Sequence, residues 1–427
     1  MLLLLSPLLH PIAPGLNNCG NTCFQNAILQ AFIATPTLSD YYLSAKHCES
    51  KCRVSAEGGH CIECQLDSVV SDMFSGSRQP YSPAKFLHTW WMMAGGFLGG
   101  YKQQDAHEFF LFILQMLTGH PESIATSLFI GQLQSRVFCE GCGRNSVQKD
   151  EFSHLSLDVL PPSSLLPPPI APRAKAAPIA NKRKKGGRGS AKGSTLKGAS
   201  ANQTIVIDSK TAKGADVTSE GPASPSRRVV SDNKPLLADK RKVRKANAAP
   251  WNHPSLSGYL RWPGDSLVGC LRRYTFAEIL DGTSDDWRCT ECNSSTSRAV
   301  KQTSITKLPP VLTMHLKRFE FSGRQGRATK LETFVSFPLD GLDMSPYLTS
   351  RIDLGRHGVG AHREFLYDAF AVVCHRGSCS GGHYVSYVRR EDKWYLCDDA
   401  FVTEVPIAVV ENCMAYMVFY FLRPGEK

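Results

Sequence analysis

The sequence has no run of about eighteen apolar residues, which argues against a helix that spans a membrane. Its leucine-rich start, Met1 to Pro14, lacks the basic first segment and the small-residue cleavage site of a secretory signal, and Pro7 and Pro11 interrupt it. Residues 1–13 therefore read as a short lead, and the abrupt start reads as a chain missing an upstream segment. Acidic and aromatic residues are scarce in one stretch. Residues 161–250 hold 19 Lys+Arg against 5 Asp+Glu, which leaves 30 basic and 33 acidic residues elsewhere. The formal charge of +11 thus belongs to that stretch and not to the rest of the chain.

The basic stretch opens on Pro161-Pro162, passes through Pro167-Pro168-Pro169 and becomes rich in Ala, Lys, Gly and Ser. With few aromatics and little periodicity it lacks the apolar surface to offset its ordering entropy, so a disordered insertion is expected at 161–250. Both flanks carry folded patterns: Phe152 to Val159 alternates like a strand, and Tyr274 to Leu280 resembles a short helix. Two clusters inside it, Lys182–Lys185 and Lys240–Lys245, suit a nuclear-import signal or contact with a phosphate backbone, and equally a solvated basic tail. Nucleic-acid contact is expected at most through this insertion.

What remains can bury a substantial core, since hydrophobic residues are 42% of the 427. Phe24 to Phe32 places apolar residues on one helical stripe, and Ala106 to Leu117 is a second, more apolar helix. From about Val311 onward the pattern changes to strands: Val311 to Phe319, Tyr384 to Arg389 and Lys393 to Cys397. Helices first and strands later give an α+β class.

Cys23 stands where the polar loop Gly15-Leu-Asn-Asn-Cys-Gly-Asn-Thr22 enters the first helix. A thiol there meets the positive end of the helix dipole and unpaired N–H groups, which favour thiolate and can hold an oxyanion. On its own such a cysteine is more often a small buried hydrophobe. A base changes that balance. Gly381-Gly382-His383-Tyr384 puts a histidine at the start of a strand, behind glycines that allow close backbone approach. If the next strand folds back directly after Arg390, Tyr387 faces Trp394, Val385 faces Leu396 and His383 faces Asp398. A one-residue bulge would offer Asp399 in its place.

Six of the 15 cysteines fall in C-x-x-C pairs in a long chain without a convincing signal, a pattern of metal binding in a reducing compartment. Cys139-Glu-Gly-Cys142 and Cys289-Thr-Glu-Cys292 supply four thiolates suited to tetrahedral zinc. A second group, His47-Cys48 with Cys52 and His60-Cys61 with Cys64, points to Cys48, Cys61 and Cys64, with His47, Cys52 or His60 as the fourth ligand.

Together these residues resemble the ubiquitin-specific proteases, papain-like cysteine deubiquitinases. The resemblance rests on Gly15 to Phe24, on Gln103-Gln-Asp105-Ala-His-Glu108-Phe109, on His315-Leu-Lys-Arg-Phe319, and on Gly382-His383-Tyr384 with Tyr387, Trp394 and Asp398. The four motifs stand in the family's order from about Pro14 to Arg423. The resemblance implies one catalytic domain over 14–424, interrupted at 161–250, with residues 425–427 a tail. It implies a right hand: helical thumb, β-rich palm and zinc-bearing fingers. It implies Cys23 as nucleophile, His383 as base and then acid, Asp398 as orienting carboxylate, Asn18 on the oxyanion, and Asp399 as an auxiliary. The reaction implied is hydrolysis after the C-terminal glycine of ubiquitin, with structural Zn2+ and no catalytic cofactor. The His47–Cys64 cluster is similar to an extra zinc site of nuclear histone deubiquitinases, which makes histones candidate substrates and the nucleus, with or without the cytoplasm, the expected location. Those relatives carry an upstream zinc finger, for which the stretch before Gly15 has no room.

A catalytically dead ubiquitin-binding scaffold is disfavoured because cysteine, histidine and aspartate are all present. A zinc nucleic-acid module leaves the Cys23 and His383 motifs unexplained. A papain-like peptidase acting on ubiquitin-like modifiers fits the same residues.

Overall fold

The computed structural model describes residues 13–47, 50, 52–98, 103–119, 123–160, 266–280, 289, 291, 298–322, 327–353, 365–379 and 381–424. Residues 1–169 together with 240–427 cluster as one unit and carry every described element, whereas the second unit, 170–239, lies outside the described residues. The expected insertion at 161–250 and its two basic clusters also lie outside them.

Seven helices come first: α1 (Cys23–Ala34), α2 (Pro36–Leu43), α3 (Arg53–Ala56), α4 (Ile62–Met73), α5 (Ala84–Leu98), α6 (Ala106–Leu117) and α7 (Ile124–Phe129). Strands β1 (Gly131–Cys139), β2 (Asn145–Phe152) and β3 (Leu155–Asp158) follow, then α8 (Leu267–Tyr274). The remaining strands are β4 (Glu278–Leu280), β5 (Ala299–Lys307), β6 (Val311–Lys317), β7 (Phe319–Ser322), β8 (Arg327–Lys330), β9 (Leu342–Asp343), β10 (Leu366–Ser378), β11 (Gly381–Arg390), β12 (Lys393–Asp398), β13 (Phe401–Val405) and β14 (Ala415–Leu422). Two short helices interrupt them, α9 (Thr349–Asp353) and α10 (Ile407–Glu411). No described helix is long and apolar enough to cross a membrane.

The palm is an eight-stranded sheet in the order β13-β12-β11-β10-β14-β6-β3, with β9 beside β10. Its central strands are buried on both faces. Along β14, Met417 and Phe419 enter the core shared with the thumb helices, whereas Val418 and Tyr420 enter a second core on the opposite face. This is why β14 reads as a continuous apolar run and not as an alternation. The fingers are a separate four-stranded sheet, β2-β1-β5-β4. The architecture is α+β with a helical thumb, a β-rich palm and fingers.

Helix α1 departs from a one-sided stripe: all twelve of its residues are buried. Its apolar side packs Phe24 edge-on against Trp90 and Phe109, at 5.7 and 5.4 Å between ring centroids. Its polar side is buried because the chain ahead of it supplies acceptors. Asn26 Nδ2 donates to the carbonyls of Leu16 and Asn17, and Gln30 Nε2 to that of Pro14. Periodicity alone does not reveal a polar face that is covered by its own N-terminal loop.

Helix α6 begins where the sequence expects. Asp105 is its N-cap, accepting from the backbone of His107 and Glu108, a bond worth about 1 kcal/mol. Tyr416 Oη donates to the same carboxylate and so ties β14 to the helix start. Beside it, His107 stacks on His315 with centroids 3.6 Å apart, and His154 packs edge-on against His107.

One element was misread from the sequence. The flank Tyr274 to Leu280 does not form a helix: α8 ends at Tyr274, and Glu278 to Leu280 pairs with β5. The apolar pattern starts earlier, at Leu267, where Ser266 caps the helix through its hydroxyl.

Candidate active site

The loop before α1 is shaped by one asparagine. Asn18 Oδ1 accepts from the N–H groups of Gly20 and Thr22, at 3.0 and 3.1 Å, closing a turn in which Gly20 and Asn21 take positive φ of 103° and 54°. Glycine and asparagine reach that region at little cost. Thr22 then sits at the N-cap and Cys23 is the first residue of α1, 3% exposed.

Asp399 fastens this loop to the palm. Its Oδ2 accepts from Asn18 Nδ2 at 2.9 Å and its Oδ1 from Asn26 Nδ2 at 2.8 Å, while its carbonyl accepts from Leu16 N at 2.8 Å. Gly15 makes the approach possible, since a Cβ there would lie 2.1 Å from the carbonyl oxygen of Ala400. Asp399 is therefore a structural anchor of the nucleophile loop and the residue that aims the Asn18 amide. That amide nitrogen carries two hydrogens, and Asp399 takes one.

His383 Nε2 and Asp398 Oδ1 are 2.6 Å apart, a charge-assisted hydrogen bond. The expected strand register is corrected by two residues. The observed partners are Tyr387 with Leu396, Arg389 with Trp394 and Arg390 with Lys393, because Glu391, at φ 53°, and Asp392 are needed to make the turn. A shift of two keeps every side chain on its face, so His383 still reaches Asp398, diagonally and not directly across. On the other side of His383, Arg376 of β10 is its strand partner, and the Arg376 guanidinium stands 3.6 Å from Asp398 Oδ2.

Gln103, ahead of α6, joins the two halves. Its Nε2 lies 2.8 Å from the Gly382 carbonyl and 3.3 Å from Cys23 Sγ, and its Oε1 accepts from Gly382 N at 3.2 Å. Gly382 cannot carry a side chain: a Cβ would fall 2.2 Å from His375 Nε2 and 2.3 Å from the Arg376 carbonyl oxygen. Among the described residues, no hydrogen bond joins Cys23 Sγ to His383. Burial pushes the Cys23 thiol up, against the lowering effect of hydrogen bonds from the Tyr384 backbone and Gln103. The helix start alone thus does not make the thiolate, contrary to the expectation from the dipole. Gln103, Asn26 and Arg376 were not singled out as site residues, although Gln103 opens a motif that was.

The thumb cluster brings together residues that were candidate ligands in the sequence. His47, Cys52, Cys61 and Cys64 bring their ligand atoms within 4.8 Å of one another, with His47 Nε2 3.1 Å from Cys64 Sγ. Cys48 lies outside the described residues, and His47 and Cys52, two of the candidates for the fourth ligand, are both among those that converge. Three thiols and one imidazole at this spacing fit tetrahedral zinc, whose bonds of about 2.0–2.3 Å put ligand atoms about 3.5–4 Å apart. Glu63 Oε2, 3.5 Å from His47 Nδ1, is placed to orient the imidazole. In the fingers, Cys139, Cys142 and Cys289 converge in the same way, with Cys142 and Cys289 sulfurs 3.6 Å apart; Cys292 lies outside the described residues.

Residues 14–420 match the family profile described as ubiquitin carboxyl-terminal hydrolase. The chain is 32% identical over 437 residues to ubiquitin C-terminal hydrolase 22 of Arabidopsis thaliana, covering 95% of this chain and 63% of that protein. It is 32% identical over 428 residues to ubiquitin carboxyl-terminal hydrolase 22 of Bos taurus, covering 95% and 66%. It therefore spans slightly less than two thirds of either relative. Its fold is similar to that of the yeast SAGA Ubp8/Sgf11/Sus1/Sgf73 module bound to ubiquitin aldehyde, with a TM-score of 0.63 at 24% identity over 99% of this chain and 72% of that one.

Proposed function

The chain belongs to the ubiquitin carboxyl-terminal hydrolase family, and from that premise we propose that it is a thiol-dependent deubiquitinase cleaving the isopeptide or peptide bond after the C-terminal glycine of ubiquitin. The observation that carries this reading is the 2.6 Å His383–Asp398 bond, set beside the helix start that bears Cys23 and linked to it through Gln103. The catalytic domain is residues 14–424, with an insertion at 161–250.

Asp398 takes the Nε2 hydrogen of His383, which leaves Nδ1 as the acceptor for the Cys23 proton. Because burial holds the thiol protonated, His383 acts as a true general base once substrate draws the two groups together. The sulfur attacks the glycine carbonyl. The oxyanion is held by the second Asn18 Nδ2 hydrogen and by backbone N–H at the start of α1. His383 then gives its proton to the departing amine, leaving a thioester on Cys23. Water, deprotonated by His383, resolves the thioester to a free ubiquitin carboxylate and the thiol.

Zn2+ bound by His47, Cys52, Cys61 and Cys64, and by Cys139, Cys142, Cys289 and Cys292, would clamp the thumb and finger loops and takes no part in the reaction. Likeness to the SAGA module, with the two basic clusters, supports ubiquitylated histones as substrates and the nucleus as location.

Reaction with ubiquitin bearing a C-terminal electrophile tests the function. Wild type forms one adduct and Cys23→Ala forms none; an unchanged adduct on the variant rejects the assignment. Chelation tests the metal: the melting midpoint falls by about 10 °C or more, and an unmoved midpoint rejects structural zinc.

A further inference from the structure

We infer that Arg376 is a positioning residue of the reaction: it holds the second oxygen of Asp398 and so keeps that carboxylate aimed at His383. This rests on the triad reading above. The family resemblance assigns nothing to this position.

The geometry is built from three strands. Arg376 on β10 is the register partner of His383 on β11. Its guanidinium stands 3.6 Å from Asp398 Oδ2, while Asp398 Oδ1 is engaged by His383 at 2.6 Å. Tyr387, on the His383 face of β11 and 5% exposed, neighbours the same side chain and gives the long arginine a fixed support. One carboxylate is thus held at both oxygens, one by imidazole and one by guanidinium. A carboxylate free to rotate would aim at the ring only part of the time.

Arg376 also brings a permanent positive charge to the site. The other charged or titratable groups around His383 are Asp398 and Asp399 at the end of β12, His375 on β10 and Cys23 on α1. Burial and the Lys330 ammonium push His375 down to about 4, so it is neutral at working pH. Lys330 itself donates to the His375 and Gly377 carbonyls and pairs with Glu332. Arg376 is then the cation in direct contact with the catalytic carboxylate. Losing that contact lets the carboxylate rotate off the ring, which lowers kcat and leaves KM in place. A side chain that only supported the fold would instead lower the melting midpoint, and a lysine at its position would not restore kcat. Arg376 is 52% exposed, so salt weakens the effect.

The experiment measures kcat, KM and the melting midpoint with a fluorogenic ubiquitin C-terminal amide, on wild type, Arg376→Gln, Arg376→Lys and Cys23→Ala. Arg376→Gln is expected to lower kcat about tenfold with KM changed less than roughly twofold, and to leave the melting midpoint unchanged. Arg376→Lys restores most of kcat, and about 1 M salt narrows the gap between wild type and Arg376→Gln. An unchanged kcat for Arg376→Gln overturns the inference, as does a loss that Arg376→Lys does not reverse. Cys23→Ala separates the two readings. If it retains turnover, the triad assignment fails; if it is inactive while Arg376→Gln keeps the wild-type kcat, only the role of Arg376 fails.

Discussion

The two sides of the cleft are held by different means. On the nucleophile's side α1 is enclosed along its length, and the part-exposed loop before it is fixed by hydrogen bonds among Asn18, Asn26 and Asp399. On the base's side the groups are part-exposed, with side-chain exposures of 38% for His383, 34% for Asp398 and 52% for Arg376. Packing places the first side and pairwise electrostatics the second. Two neighbouring carboxylates, Asp398 and Asp399, therefore do unlike work, one turned toward chemistry and one toward structure.

Replacing Asp398 gives the largest expected effect. In Asp398→Asn the amide can donate to His383 Nε2, which moves the ring hydrogen to Nδ1 and removes the acceptor that Cys23 needs. A fall in kcat of about a thousandfold or more is expected, with the melting temperature within about 2 °C of wild type because the site is part-exposed. A large loss of stability would erase the contrast between the two sides.

Next is the hinge that both sides share. Gly382→Ala drives a methyl into His375 Nε2 and the Arg376 carbonyl, so the His383 hairpin and its link to Gln103 must shift. A displacement of that kind is expected to cost about a hundredfold in kcat/KM. Gly381→Ala is the control, since nothing lies within 4 Å of its added carbon, and it should leave the melting temperature unchanged.

Much of this was legible in the chain. Helix α6, strands β6, β11 and β12 and the pairing of His383 with Asp398 follow from period and spacing, because local pattern determines which face a residue occupies. The register was read two residues out, and the result survived because parity, not exact opposition, decides the face. The burial of α1's polar side was not legible, since its cover comes from residues 14–17 and Asp399, and the latter is remote in sequence. Arg376 was missed for the same reason: an arginine on a strand is ordinarily a solvated surface residue, and only the fold places it beside Asp398.

Asp399→Asn sharpens the comparison from the structural side. Asp399 now offers two acceptor oxygens to two amide donors. Asparagine keeps the left-handed backbone at φ 48° but turns one acceptor into a donor facing a donor. A loss of about 2 kcal/mol in stability is expected, with kcat lower by about tenfold as Asn18 loses its aim. A variant as stable as wild type but inactive would instead place Asp399 in the chemistry.

The smallest effect concerns pH and the three clustered histidines between thumb and palm, of which His315 is buried and the other two half-buried. Burial pushes His107 down to about 3 and His315 to about 2, and lowers His154 as well. The unfolded chain protonates these rings below about pH 6.5, whereas the folded chain does not. Their contribution to stability is therefore complete above pH 6.5 and declines as pH falls through it toward 3. Each ring should remove about 1 kcal/mol between pH 6.5 and 5.5, read as a falling melting midpoint over that interval. His107→Phe keeps a planar ring against His315 and removes one titrating group, so its midpoint should fall less steeply with acid. Equal slopes for wild type and variant would mean that the acid sensitivity arises outside this histidine stack.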